Sequence, residues 1–102
     1  MSEESRILLE REYVVPLRDA YRAPRKKRTK AAVRILREFV ARHAKTQDVW
    51  ISNKVNEALW SRSAESPPRR IRVVVRKVEV EGEEGKKEVA EVYLPEELAE
   101  GE

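Results

Sequence analysis

The sequence has no cysteine and a single histidine, His43, among its 102 residues. A disulfide framework, a thiol nucleophile and a thiolate metal site are therefore excluded, and so is any site built on two imidazoles. Glycine occurs three times, at 82, 85 and 101, which leaves no glycine-rich loop to cradle a phosphate. No apolar run approaches the roughly 20 residues a spanning helix needs. The opening Met-Ser-Glu-Glu-Ser has neither the basic nor the apolar part of a secretory signal. The expectation is one small, soluble, cytoplasmic domain with no membrane partner. Asparagine and glutamine are scarce, while charged residues reach 40%, well above the usual quarter or so. That is the pattern of proteins adapted to heat, and a melting midpoint near about 50 °C would rule it out.

What the chain has in abundance is charge, and the charge is sorted. The total of 22 basic against 19 acidic residues gives a net of only +3. Residues 1–17 carry −2, residues 18–45 carry +9 from eleven basic and two acidic groups, residues 46–78 carry +4 and residues 79–102 carry −8. Two carboxylates cannot pair eleven cations, so a solvated face laced with ion pairs does not account for residues 18–45. A polyanionic partner, most often nucleic acid, does.

Apolar periodicity predicts the elements. Leu9, Tyr13, Val15 and Leu17 alternate within a strand over 7–17, which Pro16 breaks or holds at an edge. Residues 18–26 have no period and read as a loop. From about Lys27 to Ala44 the positions Ala32, Ile35, Leu36, Phe39, Val40 and His43 recur at helical spacing, so the apolar stripe must face a sheet. Val49–Ile51 is a short extended piece. Ser52 or Asn53 then caps a shorter helix reaching about Trp60, followed by a loop at 61–68 ending in Pro67-Pro68. In the strand over 69–80, Ile71, Val73 and Val75 point one way, and Arg70, Arg72 and Arg76 point the other with Val74. Residues 81–87 read as a charged connection too long for a two-residue turn, and 88–94 return as a strand. The result is an α+β fold: a small mixed β-sheet with two helices packed on one face, in the order β-α-β-α-β-β. Residues 1–6 are expected as a disordered acidic N-terminus, 7–95 as a single RNA-binding domain, and 96–102 as a frayed acidic tail.

No catalytic constellation is present. His43 falls on the apolar stripe near a helix C-terminus, where a packed or capping histidine is the ordinary case. The Glu pairs at 3 and 4, 83 and 84, and 96 and 97 lie in terminal or turn segments with nothing to bury them. The chain is expected to be no enzyme and to need no cofactor and no metal. Phe39 and Tyr13 fit core positions and Trp50 faces away from its neighbours. Trp60 and Tyr21 adjoin Arg-rich loops, where stacking on a base competes with a core or interface role.

The candidate RNA contacts come from every kind of element: Arg22, Arg25 and Lys26 in the loop, Lys27, Arg28, Lys30, Arg34 and Arg37 on the helix, Arg62, and Arg70, Arg72 and Arg76 on the strand. Of these, Lys27, Lys30, Arg34 and Arg37 follow at intervals of three, four and three, a ridge opposite the apolar stripe. Basic groups spread over loop, helix and strand suit the irregular backbone of folded RNA better than insertion of one helix into a DNA groove. The competing functions are a small chromatin-like DNA-binding protein and an RNA-processing factor.

Several stretches together carry a resemblance: Arg11-Glu12-Tyr13; Lys27-Arg28 followed by Ala32, Leu36, Arg37 and Phe39; Asp48-Val49 and Ile51 before Asn56, Ala58 and Trp60; and Pro68 before Arg70-Ile71-Arg72-Val73. In order and spacing, over about residues 7–94, they resemble the eukaryotic-type ribosomal protein thirty-one family of the large subunit, shared by archaea and eukaryotes. The resemblance implies a monomeric structural constituent of the large ribosomal subunit. It would bind large-subunit ribosomal RNA near the mouth of the nascent-peptide exit tunnel, beside neighbouring ribosomal proteins. It also implies RNA contacts at Lys27, Arg28, Arg37, Arg70 and Arg72. Two departures stand out. A short acidic start replaces the basic extension of eukaryotic members, which favours an archaeal-type member, and Lys30 occupies the place of a proline common after the Lys-Arg pair.

Overall fold

The computed structural model describes residues 5–100. Strand β1 (Ser5–Pro16) leads through two 3-10 turns, Arg18–Arg22 and Arg25–Lys27, into the long helix α1 (Arg28–Ala44). There follow β2 (Val49–Ile51), α2 (Asn53–Trp60), β3 (Arg70–Gly82), β4 (Gly85–Tyr93) and the short helix α3 (Pro95–Glu100). The expected α+β order is found, with one short helix added. The sheet is mixed, in the order β1-β3-β4-β2, with β2 running parallel to β4 and the other pairs antiparallel.

Pro16 sits where a missing N–H does no harm, at the end of an edge strand. A bulge between Ile7 and Leu9 re-aims β1 without ending it, so residues 5 and 6, expected to be disordered, continue the strand. The remainder of that acidic segment, residues 1–4, lies outside the described residues. At the other end, residues 96–100, expected as part of a frayed tail, fall in α3 (Pro95–Glu100). Pro95 is pre-organised for the first helical position. Glu97 Oε1 accepts from the Leu94 N–H at 2.7 Å and from the Ser52 hydroxyl at 2.8 Å, which ties α3 to the start of α2. Residues 101 and 102 lie outside the described residues.

The core is one layer between helices and sheet. Leu36 and Val40 of α1, Val55 and Leu59 of α2, and Val15, Val73 and Val92 of the sheet are fully buried in it. Ser52 caps α2, its hydroxyl oxygen accepting from the Val55 N–H at 3.2 Å. His43 departs from the expected stripe: the buried row on α1 runs Ala32, Leu36, Val40, Ala44 at intervals of four, which leaves position 43 exposed on its flank. Its ring stacks on Phe39 with centroids 4.0 Å apart, and Nδ1 donates to the Phe39 carbonyl at 2.8 Å.

One strand reading is corrected. The 81–87 connection is a two-residue turn after all, because β3 and β4 stay paired out to Gly82 and Gly85 with only Glu83 and Glu84 between them. Glu81 faces Lys86 across the ladder, so charges that disfavour strand by composition support each other in register. Gly85 closes the turn at φ 115°, a conformation open to glycine and strained for other residues. Gly85→Ala is therefore expected to destabilise the protein by about 1–3 kcal/mol. Gly82→Ala, whose new Cβ meets its nearest atom at 3.6 Å, stays near neutral. Equal denaturation midpoints for the two variants would contradict this geometry. On the face of β3 turned away from α1 and α2, the expected Val74 is joined by Val78. Val74 and Val78 are buried on it, Val74 beside Tyr93 of β4 and Val78 beside Val89.

Candidate nucleic-acid interface

The basic segments meet because the loop at 61–69 is fastened to the start of α1. Thr29, fully buried, donates from its hydroxyl to the Ser63 carbonyl at 2.7 Å and from its N–H to the Ala64 carbonyl at 3.0 Å. The Leu17 N–H donates to Arg69 at 2.7 Å and the Tyr21 hydroxyl to Pro67 at 2.6 Å. These bonds bring Arg62 and Arg70 to the same end of the molecule as Arg22, Arg25, Lys26, Lys27, Arg28 and Lys30. The role of Thr29 left no mark in the sequence, since a threonine in a first helical turn is unremarkable.

Tyr21 is a platform within the fold. The guanidinium groups of Arg28 and Arg69 lie over its ring at 5.0 and 5.1 Å from the centroid. Arg28 Nε is buried with no hydrogen-bond partner among the described residues; the Tyr21 ring face offers its guanidinium a cation–π contact in part compensation. Arg69 joins the candidate set here. Its place beside Arg70, after a stiff Pro-Pro pair, was the clue available in the sequence.

Lys27, at the N-cap, and Lys30, Arg34 and Arg37 along α1 are all exposed, as their spacing requires. Arg37 also donates to the Val49 carbonyl at 2.9 Å, which anchors β2 against the helix. Ion pairing hardly touches this region. Among the described residues Arg25, Lys26, Lys27, Arg28, Lys30, Arg34, Arg37, Arg62, Arg69 and Arg70 have no carboxylate partner, and Arg22 has only a loose, exposed one, Asp19 at 4.0 Å. The first turn of α1 carries no acidic residue and its N-cap, Lys27, makes no side-chain cap. Cations at the positive end of a helix dipole are unfavourable by about 0.3–1 kcal/mol each.

Arg72 and Arg76 stand apart from this group. They lie on the helix-free sheet face, where β1 supplies a carboxylate to each: Glu12 at 3.5 Å and Glu10 at 3.2 Å. Arg76 also lies 5.9 Å from the Tyr93 ring centroid. Burial, reinforced by the hydrogen bond to Glu91, pushes the Tyr93 phenol up to about 12. Trp50 leans on Tyr93 at 5.6 Å and is 48% exposed.

β3 carries the charge separation from one end of the molecule to the other. Its 13 residues rise about 3.3 Å each, so the Arg70 end and the Glu83-Glu84 turn are about 40 Å apart, in a molecule whose longest dimension is 42 Å. The Arg70 end gathers the cations, with Glu96 and Glu97 of α3 on the same half of the sheet, and the other end is the acidic hairpin tip. Among the described residues no helix is long and apolar enough to cross a membrane.

Comparison with known proteins gives this geometry a context. Residues 8–87 match the sequence model of the family described as ribosomal protein L31e. Large ribosomal subunit protein eL31 of Pyrobaculum arsenaticum is 55% identical over 80 residues, covering 76% of this chain and 87% of that one. The protein of the same name from Methanoregula boonei is 47% identical over 79 residues, covering 78% and 86%. That from Aeropyrum pernix is 49% identical over 73 residues, covering 72% and 70%.

Proposed function

The chain belongs to the ribosomal protein L31e family, and from that premise we propose that its basic pole binds large-subunit ribosomal RNA. It is a structural constituent of the large ribosomal subunit in the cytoplasm and not an enzyme. The observation that carries the RNA reading is the gathering of unpaired cations from the 18–28 turns, α1 and the 61–70 segment at one end of the fold. Phosphates set against the first turn of α1 offset the dipole penalty that Arg28 and Lys30 otherwise impose. The contact set is Arg22, Arg25, Lys26, Lys27, Arg28, Lys30, Arg34, Arg37, Arg62, Arg70 and the added Arg69, with smaller contributions from the ion-paired Arg72 and Arg76. The acidic hairpin turns away from RNA, toward water or neighbouring ribosomal proteins, because carboxylates against phosphate would repel. On the family pattern the protein sits as a single copy near the mouth of the nascent-peptide exit tunnel.

Sedimentation tests this reading. The protein is expected to remain with the large subunit through a salt wash. Recovery only in a free or nucleoid fraction would overturn it.

A further inference from the structure

Between the 3-10 turns and the first turns of α1 runs a groove of about 460 Å³, lined by Ala23, Pro24, Lys27, Lys30, Ala31 and Arg34. Its floor is carbon: the methyl groups of Ala23 and Ala31 leave open a space that larger side chains would fill, and the Pro24 ring forms one wall. Its rim holds three positive charges and no carboxylate. A duplex backbone alone does not call for this combination, since phosphates are met as well by a convex ridge. An apolar floor under a cationic rim fits a ligand that is flat and apolar at its centre and anionic at its edges.

Resting on the RNA reading above, we propose that this groove receives one unstacked nucleotide of the RNA. The base lies against Pro24 and Ala31, and its flanking phosphates engage Lys27, Lys30 and Arg34. The guanidinium plane of Arg34 and the aliphatic stems of the two lysines close over the base, the stacking mode by which unpaired bases are held. Paired RNA cannot enter, because its bases present only their edges within the helix. The groove thus selects a bulge or loop over a regular helix.

Binding of the full-length protein to two RNA hairpins tests this: one fully paired, the other identical but for a single unpaired adenosine. The bulged hairpin is expected to bind about tenfold more tightly. Ala31→Leu, which fills the groove without altering charge, is expected to bring it down to the affinity of the paired hairpin. Pro24→Ala, at an exposed position, is expected to remove part of the preference and serves if the Ala31 variant folds poorly. Equal affinity for both hairpins, with binding intact, overturns the groove assignment and leaves the RNA reading standing. Failure to bind either hairpin overturns both. Free adenosine monophosphate is expected to compete only weakly, and strong competition would reassign the groove to a free nucleotide and overturn the proposal.

Discussion

Replacing Lys27, Lys30 and Arg34 together by Ala is expected to weaken binding to large-subunit ribosomal RNA about a hundredfold near 0.1 M salt, and to lower the slope of log affinity against log salt by about 2–3. Each lost phosphate contact removes about 0.7–0.9 from that slope, and a factor of ten in salt turns three such contacts into about two decades of affinity. The three residues are exposed, lie on one side of α1 and have no carboxylate partner among the described residues. Replacing Arg72 and Arg76 by Ala is expected to change the slope by less than about 1, because Glu12 and Glu10 already satisfy part of their charge. The sequence pattern alone treats the strand row and the helix ridge as equivalent. Titrations at several salt concentrations separate them, and an equal loss for both variants would show that the helix-free sheet face also meets RNA.

Leu36→Ala is expected to destabilise the protein by about 2–5 kcal/mol, the range for truncating a buried leucine that leaves a cavity. Leu36 is fully buried in the layer between α1 and the sheet, beside Val15, Val73 and Val92 in the same cluster. A domain of this length has a total stability of about 5–15 kcal/mol, so this one change removes a large share of it. Val14→Ala, on the helix-free face and 49% exposed, is expected to shift stability by less than about 1 kcal/mol. Urea denaturation of the two variants checks both values, and a small effect at Leu36 would mean that α1 is not the main cover of the sheet.

Much of the fold was legible in the residues. Ala32, Leu36 and Val40 of the buried row of α1, a cap at Ser52 or Asn53, a β1 broken or held at an edge and the alternation of Ile71, Val73 and Val75 all follow from periods of 3.6 and 2 and from proline's missing N–H. Three features were not legible, each because a distant partner decides it. Glu81 and Lys86 look like loop until they face each other across a ladder. Residues 96–100 look like a frayed tail until Glu97 meets Ser52, 45 positions away. His43 looks like a core residue until the buried row is seen to pass to Ala44 instead.

The candidate interface divides the same way. The chain's own composition determined that a basic body lies between acidic ends, that no thiol or paired-imidazole chemistry exists, and that one helix face is cationic. Those properties belong to residue types and local spacing, which are set before folding. Only the tertiary structure decided which cations act together. Thr29, Tyr21 and Leu17 bind the 61–69 loop across long sequence separations, so Arg62, Arg69 and Arg70 join the start of α1. Strand pairing with β1 meanwhile gives Arg72 and Arg76 carboxylate partners. Coulomb energy falls with distance in space rather than along the chain, so a near-neutral sequence becomes a molecule with a cation-rich end and an acidic hairpin tip about 40 Å away.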